Sequence, residues 1–319
     1  MKYAIIISLL KLLSLLPLRV LYLLSDVLCA VVYRLVRYRL DVVRKNLRNA
    51  LPDKTDDELR RIERRYYRHL CDCIVETVKL LHISDRQLRR RVEVRNSGLV
   101  DRAVAEGHPV ILFLGHYGNW EWAQSVMLSF SCECLCGEIY RPLKNKTMDR
   151  VMRRIRSRFD TVCIPQRNAV RTLLRLKSDG RLFVVGFIAD QYPNSRNRTH
   201  WTDFMNQRAA YVTGGEEIGR RVGARFVYLD IDKPQRGRYT MTFRRVDPLP
   251  DGDAEYPHTL SYLRMMEQTI RRAPEYWLWS HNRWKHKEPV PEQPAADVAG
   301  DVAGGAPQNG ADTSVEPRQ

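Results

Sequence analysis

Residues 115–121 read Gly115-His116-Tyr117-Gly118-Asn119-Trp120-Glu121. A histidine followed five positions later by a carboxylate is a proton-transfer pair in outline. Neutral imidazole titrates near neutral pH and can take a proton from an attacking hydroxyl. A carboxylate on its other ring nitrogen fixes the tautomer and stabilises the imidazolium that forms. No enzyme nucleophile is then needed, because the substrate alcohol attacks directly. Five steps along a regular helix leave two side chains about 140° apart, so the backbone must turn if His116 and Glu121 are to meet. Gly118 permits that turn, and Gly115 lets the chain leave a sheet closely. Eight histidines and 37 acidic residues in 319 give roughly one such spacing by chance, so the weight rests on context.

The context is a buried strand before the motif and a helix after it. Residues 109–114 form a short continuous apolar run, as a strand covered on both faces does. A helix is expected to start near Asn119, which would put Glu121 in its first turn, where negative charge is favoured. Upstream, Thr55 and Glu58 form a capping box, and Leu59, Ile62, Tyr66, Leu70, Ile74, Val78 and Leu81 recur at three- and four-residue steps. The spacing predicts a helix over 56–81. Downstream, strands are expected at 132–140, 182–189, 225–231 and 239–246, and helices at 147–159, 168–178 and 257–272. Alternating buried strands and helices imply an α/β fold: a mixed, largely parallel sheet covered by helices. In such sheets, chemistry gathers in loops at the carboxyl ends of strands.

The ends of the chain differ from its middle. Residues 3–33 are mostly apolar but carry Lys11, Pro17, Arg19 and Asp26, and no uncharged run among them exceeds eight residues. The stretch is too long for a cleaved signal and has no small-residue cleavage site after it. A spanning helix, and a helical hairpin in one leaflet broken at Pro17, both remain open. Arg34, Arg37, Arg39, Arg44, Lys45 and Arg48 follow, and positive charge beside an apolar anchor marks the cytoplasmic side. The expected organisation is a membrane anchor over 1–40, a catalytic domain over 41–288 and a disordered tail over 289–319, where Pro, Ala, Gly, Asp and Gln prevail.

The chain has 53 Lys and Arg against 37 Asp and Glu, a formal charge of +16, which predicts an acidic partner. In the 147–159 helix, Arg150, Arg153, Arg154, Arg156 and Arg158 lie opposite an apolar stripe and offer either a docking surface or a solvated face. Seven cysteines, an odd and modest number, fit a reducing compartment. Cys132, Cys134 and Cys136 alternate, but on an extended strand that spacing spreads the sulfurs too far for zinc, so they are expected to be small buried fillers. Neither a metal site nor a cofactor is assigned.

At this point a resemblance becomes specific. GHYGNWEW resembles the H-x4-D/E motif of the glycerolipid acyltransferase superfamily, in the form found in late acyltransferases of lipid A biosynthesis. Four further segments match that family in order. They are Tyr140-Arg141-Pro142 with Asn145; Ala189-Asp190-Gln191; Thr202-Asp203-Phe204 with Ala209 and Ala210; and Tyr276-Trp277-Leu278-Trp279 with His281, Arg283, Trp284 and Lys285. Asn46-Leu47 and Leu51-Pro52 fit the family's N-terminal region. The likeness spans about residues 10–287. It departs where the family has Phe-Phe-Gly and this chain has Phe204-Met205-Asn206, and in the loop from Tyr192 to Trp201, which carries three Arg or His residues and no glycine.

The resemblance implies a glycerol-3-phosphate acyltransferase-like fold with an N-terminal apolar membrane-anchoring helix. It implies an enzyme of the inner membrane, working on the cytoplasmic side, that moves a fatty acyl chain from acyl carrier protein to a hydroxyl of a phosphorylated lipid A precursor. His116 would be the general base and Glu121 its partner, with Arg141, Asp190, Asn119 and Gly118 around the substrate. A lysophospholipid or aminolipid acceptor would use the same base. Nucleic-acid binding fits poorly, since the basic residues are spread along the chain without a recognisable module. A serine hydrolase lacks its G-x-S-x-G elbow.

Overall fold

The computed structural model describes residues 2–193, 200–250 and 254–289. The apolar amino terminus forms two helices, α1 (Lys2–Leu15) and α2 (Leu18–Ala30), and a π-helical turn, Val31–Leu35, extends α2. Pro17, with φ −56° and ψ 145°, stands between them, and the pair is bent by 117°. Proline offers no N–H to continue α1. The open carbonyls at the end of α1 are met from outside: Lys79 Nζ donates to Ser14 O and Leu16 O at 2.8 Å each. No single helix is long and apolar enough to cross a membrane, although the bent pair together has the length and composition. Its outward side is apolar, with Leu9, Leu12, Leu15, Leu23 and Val27 exposed.

Next come α3 (Leu40–Ala50), α4 (Asp56–Lys79) and α5 (Asp85–Arg89). The Thr55–Glu58 capping box forms as expected, and α4 ends two residues before the sequence estimate. The alternating part follows: β1 (Val92–Arg95), α6 (Gly98–Ala105), β2 (Val110–Leu114), β3 (Leu135–Tyr140), α7 (Lys146–Arg156), β4 (Val162–Pro165), α8 (Ala169–Ser178), β5 (Phe183–Ile188), the hairpin β6 (Trp201–Phe204) and β7 (Gln207–Ala210), α9 (Gly214–Val222), β8 (Arg225–Gln235), β9 (Arg238–Arg245) and α10 (Pro257–Arg272).

The main sheet has seven strands in the order β1-β9-β8-β2-β5-β3-β4. Every neighbouring pair is parallel except β8 and β9. The mixed, largely parallel sheet expected from the sequence is therefore present. All five residues of β2 are buried, and both α6 and α9 pack against that strand. The described residues up to Glu288 belong to one compact unit. Of the tail expected at 289–319, everything from residue 290 lies outside the described residues, as do 194–199 of the arginine-bearing loop.

Three expectations are corrected. The segment after His116 is not an α-helix from Asn119 but a 3-10 helix, Trp122–Ser129, because Asn119 and Trp120 turn instead of continuing the coil. The third strand begins at Leu135, so Cys132 and Cys134 precede it. Their sulfurs are not spread apart: Cys132 and Cys134 lie 3.8 Å from each other, and Cys134 and Cys136 3.9 Å. The departure at Phe204-Met205-Asn206 is the β6–β7 turn itself. Met205 and Asn206 take φ of +51° and +60°, the left-handed pair that such hairpin turns require, and Asn206 Nδ2 ties the turn to Ala50 O at 3.1 Å.

Candidate active site

After β2 the chain runs to β3 on one side, and after β5 it returns to β8 on the other. Where connections leave neighbouring strands in opposite directions, an open α/β sheet forms its ligand crevice over their carboxyl ends, and β2 and β5 are such a pair. Leu114 pairs with Ile188 across these strands. His116 and Asp190 each stand two residues further on, so the register brings them together. His116 Nδ1 lies 2.7 Å from Asp190 Oδ1, and the His116 backbone N–H donates to Asp190 Oδ2 at 2.9 Å. Trp277 Nε1 donates to that same oxygen at 2.7 Å. Burial alone would push the Asp190 carboxyl up, but the His116 ring and these two N–H donors outweigh it and hold the carboxyl at about 2.

With Nδ1–H donating to Asp190, Nε2 of His116 carries the free lone pair. Gln191 Nε2 lies 3.3 Å from it. The ring is 21% exposed while Asp190 is 1% exposed, so the imidazole is accessible from outside and its carboxylate is not. Trp120 stands edge-on to the ring, with centroids 5.3 Å apart.

The turn after His116 is gripped from two sides. The carboxyl-terminal segment pairs with it: Leu278 N donates to His116 O at 3.1 Å, and Gly118 N donates to Tyr276 O at 2.9 Å. From α4, His69 Nε2 meets Gly118 O at 3.1 Å, and Glu76 Oε2 accepts from Asn119 Nδ2 at 2.7 Å. Burial, with Lys233 beside it, holds His69 well below its ordinary value, which keeps the ring neutral and its N–H available. Gly118 has φ +58°, and a Cβ there would come within 2.6 Å of Ile231. A Cβ on Gly115 would collide with the Met266 side chain on α10.

The expected partnership of His116 with Glu121 is not what the structure brings together. Glu121 faces α7, where Arg156 Nε donates to one oxygen at 2.9 Å and Nη2 to the other at 2.5 Å. Arg156 also reaches Glu138 of β3 at 3.5 Å. Burial opposes the Arg156 charge, but Glu121 and Glu138 raise the guanidinium further above its ordinary range. The reason is register: the carboxylate set level with His116 by sheet pairing is Asp190, while the turn at Gly118 sends Glu121 past the ring.

Other site expectations separate in the same way. Asn119 is buried and spends its amide internally, accepting from Trp122 N as well as donating to Glu76, so it shapes the turn and does not face a substrate. Both backbone polar groups of Gly118 are likewise engaged. Arg141 is exposed just beyond the carboxyl end of β3 and has no ion pair among the described residues. The five-arginine face is not one surface. Arg156 pairs with Glu121 and Glu138, Arg158 donates to Leu80 O at 2.6 Å, and Arg150 stacks on Tyr3 at 4.2 Å. Trp277, Trp279 and Arg283 are buried, and Arg283 Nη1 donates to Ala210 O at 2.7 Å. Asn46 Nδ2 donates to Trp279 O and His281 O at 2.8 and 2.9 Å, so the N-terminal motif holds the closing one. Sequence reading missed Gln191, Arg156, Glu76 and His69 as site residues. The glutamine lay in a recognised motif, but the other three carried no local signal. Among the described residues, no group of three or more His, Cys, Asp or Glu is arranged to hold a metal ion.

The family model "bacterial lipid A biosynthesis acyltransferase" matches residues 1–286. The chain is 26% identical over 282 residues to the lipid A biosynthesis palmitoleoyltransferase of Escherichia coli (strain K12), covering 87% of this chain and 88% of that protein. It is 24% identical over 282 residues to the lipid A biosynthesis lauroyltransferase of the same organism, covering 87% of this chain and 90% of that one. With a family match along nearly its whole described length, the chain belongs to the bacterial lipid A biosynthesis acyltransferases.

Proposed function

We propose that this enzyme transfers a fatty acyl chain from acyl carrier protein to a hydroxyl of a lipid A precursor at the inner face of the cytoplasmic membrane, with His116 as general base. One observation carries the reading: the His116 ring is fixed through Nδ1 by a buried carboxylate and leaves Nε2 to the crevice. In the reaction Nε2 takes the proton of the acceptor hydroxyl as its oxygen attacks the thioester carbonyl. A carbon–oxygen bond forms and the carbonyl oxygen gains the negative charge. As that tetrahedral species collapses, the carbon–sulfur bond breaks and the imidazolium returns its proton to the departing sulfur. The products are an ester and a free thiol. Asp190 holds the tautomer and stabilises the imidazolium. Gln191 occupies the Nε2 lone pair until the acceptor hydroxyl replaces it.

Glu121 is a positioning residue in this scheme, fixing Arg156 at the flank of the crevice. A planar guanidinium suits a phosphate or a developing oxyanion, and the exposed Arg141 adds a second such group at the same sheet edge. Residues 1–40 act as the membrane anchor. The support is the exposed apolar side of the bent α1–α2 pair and the basic residues that follow it. Lipid mass spectrometry of cells with and without the gene product tests the assignment. The expected difference is one acyl chain on a lipid A species. A change confined to phospholipids or aminolipids would overturn it.

A further inference from the structure

Away from the crevice, a cavity of about 380 Å³ lies between α2 with its π-turn and the middle of α4. Arg34, Arg64, Arg65 and Arg68 line it, with Asp26 and Tyr33, and none of the residues around His116 does. Arg64 and Arg68 are one turn apart on α4, a like-charge spacing that destabilises a helix unless something answers it. Asp26 answers it only in part. Its carboxylate already accepts from Arg236 at 3.1 and 2.8 Å and stands 3.7 Å from Arg68. Arg65 reaches Glu275 at 3.4 Å. Arg34 and Arg64 have no ion pair among the described residues. Four arginines thus line one space with Asp26, already shared with Arg236, as its one lining carboxylate.

The helix that forms one wall of the cavity also carries exposed apolar side chains. On the same helical segment that lines it, α2 and its π-turn, Leu23, Val27 and Leu35 are 67%, 65% and 76% exposed. A ligand that satisfies both features carries a phosphate that accepts from several planar guanidinium forks and acyl chains that lie along α2. The volume is at the low end of small-molecule sites, roughly 300–1,000 Å³, which suits a headgroup with its chains left outside. We infer that this cavity binds the phosphate headgroup of an anionic phospholipid, a site separate from the acyl-transfer crevice. The inference rests on the membrane reading above.

The test uses full-length protein purified in detergent, mixed with phosphatidylcholine vesicles or with vesicles that also contain phosphatidylglycerol. Bound protein is read by sedimentation at about 0.1 M salt, where distant charges are screened. The double variant Arg64→Gln/Arg68→Gln is compared with Arg60→Gln/Arg61→Gln, on the same helix but outside the cavity. Both remove two positive charges, so a general attraction to anionic lipid affects them equally. The site predicts that the first pair loses roughly tenfold more affinity for phosphatidylglycerol vesicles than the second, with unchanged circular dichroism. Equal losses overturn the site while leaving the membrane reading standing. A wild-type chain that binds neither vesicle overturns both. Inorganic phosphate, added at matched ionic strength, is expected to leave the tenfold difference in place. If it abolishes that difference, the occupant is free phosphate and the lipid assignment falls.

Discussion

His116 Nδ1 and Asp190 Oδ1 are 2.7 Å apart although 74 residues separate them in the chain. Two neighbouring parallel strands end in register, and each sends out its functional residue two positions later. A contact built on sheet register leaves little freedom to either partner, which suits a base whose lone pair must stay aimed at one place.

The first consequence concerns the tautomer. In Asp190→Asn, an amide N–H facing Nδ1 would force the ring proton onto Nε2 and block the base. Turnover is expected to fall by roughly 10²–10⁴ with the far-ultraviolet dichroism intact. Steady-state kinetics of the purified variant check this, and near wild-type turnover would remove Asp190 from the mechanism.

The second consequence follows from the pairing of Glu121 with Arg156. Removing Arg156 leaves Glu121 without its ion pair, and removing Glu121 leaves Arg156 only the longer contact to Glu138, so the two substitutions should be strongly non-additive. The double variant Glu121→Ala/Arg156→Ala is expected to be no slower than the worse single variant. Fully additive losses in this cycle would mean that Glu121 acts separately from Arg156, as a direct partner of His116 would.

Glu138 gives a pH signature. Burial pushes its carboxyl up to about 7, with Arg156 opposing and Glu121 adding to the rise. A folded-state value above the unfolded 4.5 means that stability is fully present below about 4.5 and is lost as pH rises through 7. Glu138→Gln removes that loss. Relative to the variant, the wild type should lose up to about 3 kcal/mol between pH 4.5 and 8 in denaturant titrations. Parallel stability curves for the two proteins would contradict it.

Glu76 ties the turn after His116 to the apolar helix α2. Its carboxylate accepts from Asn119 at 2.7 Å, Tyr239 at 2.6 Å and Tyr22 of α2 at 2.8 Å. Glu76→Gln keeps the volume but puts a donor where an acceptor is needed, and should lower kcat roughly 10–100-fold by loosening the turn. Tyr22→Phe, which removes only the far donor, should lose less. Full kcat per folded molecule in Glu76→Gln would make the residue a fold element only.

The sequence carried much of this architecture. Continuous apolar runs marked β2 and β5, the capping box marked α4, and Pro17 marked the break between α1 and α2. Periodicity speaks only for neighbours along the chain, however. It could place a carboxylate five residues from His116 but could not see Asp190, which arrives through strand register. The amphipathic pattern of its helix leaves Arg156 between a docking surface and a solvated face, yet it is the last residue of α7 and pairs inward with Glu121 and Glu138. Glu76 and His69 lie in the helical pattern of α4, where nothing local distinguishes a polar residue aimed at a distant turn from one aimed at water.

Acyl transfer from acyl carrier protein to a lipid A precursor by His116→Ala tests the central claim most directly. Loss of the base predicts turnover lower by roughly 10²–10⁴, with wild-type folding and retained acceptor binding. Turnover within a few-fold of wild type would contradict the account, because the proton of the acceptor hydroxyl would then be leaving by another route.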